Sequence, residues 1–266
     1  MADDPTRSAP DLVGLDDAAL AAALVGQAAA RAARMRAEGV SARTKENLAD
    51  LVTEADVAAE RLVVDALTRL RPADGVVGEE GTTRPSRSGR TWVIDPVDGT
   101  YNFATGTLYW CSALALRDAD GVLVGAVEHR GAGESWLAVR GAGTFERGVA
   151  VPPLEDAPLS AVCLATYLHP ARIADPSIRE PWLAATRGAA TMRMLGSGSC
   201  ELAAVAAGRI GAWAQPDVLE WDWLPGKSLV EGAGGSTDVV DVAGHPWHLA
   251  GTPSAVADLR RALEAG

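Results

Sequence analysis

The sequence predicts a mixed α/β (α+β) protein of two lobes. Residues 1–155 form an N-terminal lobe with a largely antiparallel sheet backed by two long helices, and residues 156–266 form a C-terminal α/β lobe. Three observations carry this reading. An Ala/Leu-rich helical stretch and an amphipathic one open the chain; four short apolar runs separated by Gly or Asp-Gly follow; helix and strand signals then alternate beyond a Pro-rich break.

Residues 1–10 read as a loose polar leader. From Asp16 to about Arg36, Ala and Leu dominate with few breakers, which predicts a helix ended by Gly39. Arg43 to Asp50 is polar and aperiodic, as in a mobile loop. Thr53-Glu54-Ala55-Asp56 has the form of a capping box. Behind it Ala59, Leu62, Val63, Ala66, Leu67 and Leu70 share one face, with Glu60, Arg61, Asp65 and Arg69 opposite, until Pro72 stops the helix. Val76 to Glu80 is a short strand ending in two carboxylates, and residues 81–90 form an exposed loop.

Trp92, Val93 and Ile94 end a buried strand, because an apolar β-branched run stops at a turn signal. Asp95-Pro96 bends the chain, and Asp98-Gly99-Thr100 opens a helix with Asp98 as its cap. Gly99 leaves the backbone open to a ligand. Two carboxylates thus flank a turn at the carboxyl end of a strand, where open α/β sheets bind their ligands. The same pair also suits a plain helix cap.

Residues 108–117, 122–129, 134–140 and 143–147 are the four short runs, with Asp120-Gly121 as a hairpin turn. Val149 to Pro158 marks the lobe boundary. Strands at 161–166, 190–195, 211–214, 236–241 and 247–250 then alternate with helices at about 176–187, 199–209 and 222–233, and a terminal helix starts at Pro253.

A formal charge of −11 excludes a binder of nucleic-acid backbones, which needs clustered cations. It is compatible with a small phosphate substrate if metal ions supply positive charge locally. Cys111, Cys163 and Cys200 are isolated in sequence and lack metal-binding spacing, so they read as buried thiols in a reducing cytoplasm. The acidic start is unlike a signal peptide, and the Ala-rich stretch 18–33 carries Gln27 and Arg31 and is too short to span a bilayer. A soluble cytoplasmic protein with no membrane partner is expected.

Asp50, Glu79-Glu80, Asp95 with Asp98, and Asp222 within Trp221-Asp222-Trp223 are acidic clusters at element ends. Brought together without Lys or Arg they would repel one another unless cations bind. Hard oxygen donors suit Mg²⁺ or Mn²⁺ rather than zinc. The four histidines offer no ligand set.

Asp50-Leu51-Val52-Thr53-Glu54-Ala55-Asp56, Gly78-Glu79-Glu80, Asp95-Pro96-Val97-Asp98-Gly99-Thr100 with Asn102-Phe103, and Trp221-Asp222 with Gly234-Gly235 follow in order. Together they resemble the signatures of the inositol monophosphatase family, magnesium-dependent and lithium-sensitive phosphatases of small phosphate esters. The resemblance implies a layered αβαβα sandwich and two to three Mg²⁺ per active site, with Mn²⁺ as a substitute. It implies that Glu79 holds one metal, that Asp95 bridges it to a second, and that the Val97 carbonyl completes the first site. Asp98 and Asp222 would hold the second metal. Asp50 and Thr100, with Glu79, would position and help deprotonate the attacking water, and the amides of Gly99 and Thr100 would hold the phosphate. A homodimer is also compatible with the resemblance.

Several residues depart from the family pattern. Gln215 stands where many inositol phosphatases carry a Glu that grips the sugar hydroxyls, and Asp217 or Glu220 offer themselves as substitutes. Gly198 sits where the family lines its substrate pocket. Leu224-Pro225 and Gly232 are unusual for the family. Trp213 and Trp223 are either core residues or a narrowing of the pocket. The expected activity is hydrolysis of inositol-1-phosphate. Histidinol phosphate, fructose 1,6-bisphosphate and a 3′-phosphoadenosine compound are alternatives, and a non-catalytic metal- or phosphate-binding scaffold is the alternative of another class.

Overall fold

The computed structural model describes residues 12–39, 42–44 and 51–265; the leader and the stretch 45–50, with Asp50, lie outside the described residues. Helix α1 (Asp17–Glu38) begins where the Asp16 carboxylate accepts the Ala19 amide at 2.8 Å, and it ends at Gly39. Strands β1 (Ala42–Thr44) and β2 (Leu51–Thr53) pair antiparallel, so the loop expected over Arg43 to Asp50 begins in a strand and is followed by its partner. Three-residue strands leave no periodic trace in a sequence.

Helix α2 (Glu54–Leu70) carries the full capping box: the Thr53 hydroxyl accepts the Asp56 amide, and the Asp56 carboxylate accepts the Thr53 amide at 3.0 Å. One residue of the expected polar face is misread. Glu60 is buried, and its carboxylate accepts the Glu80 amide at 2.8 Å and the Thr82 hydroxyl at 2.5 Å. The turn after the next strand has amides with no ladder partner, and a buried acceptor must satisfy them.

The first sheet holds β3 (Gly75–Gly78), β4 (Thr83–Arg84), β5 (Thr91–Asp98), β6 (Cys111–Asp118), β7 (Gly121–His129), β8 (Glu134–Val139), β9 (Gly143–Glu146) and β10 (Val149–Ala150). Its order is β10-β9-β8-β7-β6-β5-β3-β4, antiparallel except for the β3–β5 pair. Short β4 lies inside the expected loop 81–90 and closes one edge. Between β5 and β6 comes the single-turn helix α3 (Thr100–Ala104).

The second sheet has the order β12-β11-β13-β15-β14, built from β11 (Cys163–Thr166), β12 (Thr191–Arg193), β13 (Ala212–Pro216), β14 (Ser236–Val242) and β15 (His245–Gly251). Strands β11, β12 and β13 run parallel and the other two antiparallel. Helices α4 (Pro176–Arg187), α5 (Gly198–Ala206), α6 (Glu220–Gly232) and α7 (Pro253–Ala265) complete the chain.

Alternation along the strands assigns the layers. On the first sheet Leu114, Leu116 and Ala126 pack with Leu20, Leu24, Val63 and Leu67 of α1 and α2. Their neighbours Ala113 and Val127 face Leu202, Val205, Leu229 and Val230 of α5 and α6. On the second sheet Trp213 and Ala250 meet α5 and α6 from the other side, while Ala212, Ala214 and Leu249 pack under α4 and α7. The result is an αβαβα sandwich, the consequence of side chains pointing alternately to opposite faces of each strand. No helix among the described residues is long and apolar enough to cross a membrane.

Helix α6 sits unusually close to its neighbours. A Cβ at Gly226 would lie 2.4 Å from Leu202 Cβ, and one at Gly125 only 1.9 Å from Ser228 Oγ. Pro225 lies inside α6 without ending it, and its carbonyl accepts the Ser228 hydroxyl at 2.7 Å.

Candidate active site

The carboxyl end of β5 meets the start of α6 at the floor of a cleft of about 640 Å³. One oxygen each of Asp95, Asp98 and Asp222 lie within 4.8 Å of one another. Asp95 and Asp98 are buried, and Asp222 is partly so. Glu79, just past the end of β3, reaches the group through a hydrogen bond with Asp95, while its amide continues the ladder to the Ile94 carbonyl at 3.1 Å. No Lys or Arg is among the described residues lining this cleft.

Burial, then the charges of Glu79, Asp98 and Asp222, push the Asp95 carboxyl well above the usual range. Burial and the charges of Asp98 and Glu79 do the same to Asp222. Asp98 is raised by burial, less strongly because donors from residues 197–199 offset it. These acids need protons or cations to coexist, and a donor set made only of oxygens fits a hard divalent ion. The Val97 carbonyl accepts the Thr100 hydroxyl at 3.0 Å at the same turn.

Asp98 does not cap α3, as its sequence position suggests. Gly99 occupies that cap with φ +92° and no side-chain bond. The Asp98 carboxylate instead accepts the amides of Gly198, at 3.1 Å, and Ser199 at the start of α5. The reason is steric: a Cβ at Gly99 would lie 3.1 Å from the Gly196 carbonyl and the Tyr109 carbonyl. The turn is pressed against residues 196–198, so the α5 amides are the nearest donors. Gly198 lines the cleft beside Asp98 and Asp222, as does Gln215 from β13.

Three residues to which sequence reasoning gave no role at the site serve it. Asp56 accepts the Thr100 hydroxyl at 3.1 Å, so the capping box of α2 also orients Thr100. Asn102 donates to the carbonyls of Tyr109 at 2.9 Å and Leu195 at 2.8 Å, fastening α3 to the loop before α5. Buried Glu201 accepts the Leu195 amide and the Trp213 indole, both at 2.9 Å. Burial pushes it up to about 8, against bonds that favour the anion. Glu201 follows the Gly-Ser-Gly-Ser run in an apolar helix, and that placement was the available signal.

The two acids offered in place of a Glu at 215 are engaged elsewhere. Asp217 pairs with Arg172 and with His245 Nδ1 at 2.8 Å, and these hold it below the ordinary range although partial burial works the other way. Glu220 accepts from Arg117 at 3.0 Å. Trp213 and Trp223 stack at 5.6 Å as buried core and do not line the cleft.

Residues 12–265 match the inositol monophosphatase family. The chain belongs to that family. As an inositol monophosphatase family protein it is a phosphoric monoester hydrolase, and the family is metal-dependent. It is 30% identical to the inositol-1-monophosphatase of Bacillus subtilis, over 86% of this chain and 89% of that one. It is 36% identical to the histidinol-phosphatase of Mycobacterium tuberculosis, over 86% and 90%. A Thermotoga maritima IMPase shares the fold with a TM-score of 0.80 at 24% identity, over 94% of this chain and 99% of that one.

Proposed function

We propose that this phosphatase hydrolyses a small phosphate monoester, inositol-1-phosphate foremost, with two to three Mg²⁺ held by Glu79, Asp95, Asp98, Asp222 and the Val97 carbonyl; Mn²⁺ fits the same donors. The observation that carries the reading is the meeting of Asp95, Asp98 and Asp222 within 4.8 Å on a cleft floor that no Lys or Arg among the described residues lines. When bound, the cations supply the positive charge a transferring phosphoryl group requires and lower the pKa of water. The Thr100 hydroxyl, oriented between Asp56 and Val97, helps to position the attacking water, and Asp50 would help to deprotonate it. The amides of Gly99 and Thr100 receive phosphate oxygens, and the Gln215 amide offers a neutral hydrogen bond to the leaving alcohol. The free cysteines suit a cytoplasmic setting.

Histidinol phosphate is the second reading, favoured by the M. tuberculosis relative. Phosphate release from a panel decides: inositol-1-phosphate, histidinol phosphate, fructose 1,6-bisphosphate and a 3′-phosphoadenosine compound, each with Mg²⁺ and with EDTA. Turnover that needs Mg²⁺ and yields to millimolar lithium supports the reading. Silence on the whole panel overturns it in favour of a scaffold.

A further inference from the structure

We infer that Arg172, Asp217 and His245 form a clamp that sets the leaving-group wall of the cleft and so selects which alcohol the enzyme accepts. The inference rests on the reading that this cleft binds the substrate.

Tyr167, Leu168 and Pro170 line the cleft with Gln215, and the parallel register that sets Thr166 opposite Ala214 brings Tyr167 and Gln215 out of neighbouring strands. They belong to a segment that ends in the 3₁₀ turn Pro170–Arg172. The turn's own bonds are local, with the Arg172 amide donating to the His169 carbonyl at 2.8 Å and the Ala171 amide to His169 Nδ1 at 3.1 Å. The segment leaves β11 directly, and Leu168 is buried in the core with Ala214 and Leu249; the Arg172 guanidinium adds a polar tie by pairing with Asp217 at the far end of β13.

Asp217 lies two residues past Gln215, with φ +54°, a left-handed conformation that non-glycine residues rarely adopt. Its amide donates to the Pro246 carbonyl at 2.8 Å, and its carboxylate accepts His245 Nδ1 at 2.8 Å. One side chain therefore joins the cleft wall, the end of β13 that carries Gln215, and the start of β15. The strained backbone aims that carboxylate at both partners.

His245 Nε2 lies 3.2 Å from the Ser177 hydroxyl, which gives the order Asp–His–Ser. This is not a second hydrolytic triad. The Ser177 hydroxyl donates to Asp175 at 2.5 Å, and its amide donates to the same oxygen at 2.9 Å, so Ser177 is part of the cap of α4. Its amide is thereby unavailable to an oxyanion, and His245 serves to anchor Asp217.

The test compares wild type with Asp217→Gly, Asp217→Asn and Arg172→Met. Glycine takes φ +54° without strain, so Asp217→Gly removes the clamp while favouring the backbone; a thermal melt checks that each variant is folded. Steady-state kinetics are read on the panel monoesters and p-nitrophenyl phosphate, with inorganic phosphate as a competitive inhibitor that probes the phosphate end alone. The clamp predicts that kcat/KM for the preferred monoester falls about tenfold through KM, as expected when a preorganised wall becomes mobile. It predicts a smaller change for p-nitrophenyl phosphate and a phosphate Ki within about twofold of wild type. An active wild type whose preference among alcohols is untouched in Asp217→Gly and Arg172→Met overturns the clamp alone. A wild type silent on every monoester overturns the reading of the cleft and the clamp with it.

Discussion

Replacing Asp95 with Asn should stabilise the metal-free protein while stopping turnover. Asp95 is buried between Glu79, Asp98 and Asp222, and oxygens of the three aspartates lie within 4.8 Å. At that separation two unit charges repel by about 3.5 kcal/mol at an effective dielectric of about 20, so the metal-free wild type keeps a proton on Asp95 that the unfolded chain has lost, and Asn removes the cost of keeping it at alkaline pH. The Val97 amide that donates to Asp95 Oδ1 at 3.1 Å keeps an acceptor in Asn, so the turn survives. Even about 2 kcal/mol of relief raises the melting temperature by roughly 4–8 °C in a chain of this size. If Asp95 is one of the metal-holding carboxylates, as proposed, its loss removes several kcal/mol of transition-state stabilisation, about 10³-fold in rate. The assay is a pair of melts at about pH 8, in EDTA and in Mg²⁺, beside phosphate release. The variant should melt above wild type in EDTA, gain little from Mg²⁺, and be inactive. A variant less stable than wild type in EDTA, or one that turns over normally, refutes the argument.

The folded protein raises the pKa of Asp95, Asp98, Asp222 and Glu201, so each keeps its proton to a higher pH than it does in the unfolded chain. Metal-free stability should therefore fall as pH rises from the ordinary carboxylate range, about 4, through about 8, by about 1.4 kcal/mol per pH unit for each extra proton bound. Melts in EDTA across this range check the sign, and Mg²⁺ should stabilise most at the alkaline end. Thr100→Val removes the hydroxyl shared by Asp56 and Val97. It should lower kcat by about 10²–10⁴-fold while the capped α2 keeps its melting temperature. Glu201→Gln sets an amide N–H₂ against the donors from Leu195, Gly196 or Trp213. The unsatisfied buried group should cost about 1–3 kcal/mol in a denaturant titration.

The architecture was legible where local chemistry dictates the element. Thr53 and Asp56 announce the start of α2, and Asp16 and Gly39 bracket α1 as their side-chain and backbone preferences require. Asp95, Asp98 and Asp222 could be named as one group because their motifs follow in the order of the inositol monophosphatase signatures; charge placement alone left each as a possible cap. What stayed hidden depends on contacts between distant segments. Glu60 reads as a solvent-facing charge by periodicity, yet the Glu80 and Thr82 amides draw it inward. Asp98 reads as the cap of the helix beside it, but it caps a helix 100 residues onward. The Asp217–Arg172 pair joins residues 45 apart and has no local signature at all.

That long-range cap has a consequence for how the enzyme comes into being. A nascent chain that has emerged from the ribosome only through β10 already carries Asp95 and Asp98, but neither the α5 amides that hold Asp98 nor Asp222. Catalytic competence therefore arrives late in synthesis, when the segment after Ser197 docks and supplies both at once. A half-made copy carries acidic side chains without the means to arrange them, and is kept from acting on the cell's phosphate esters before it is finished.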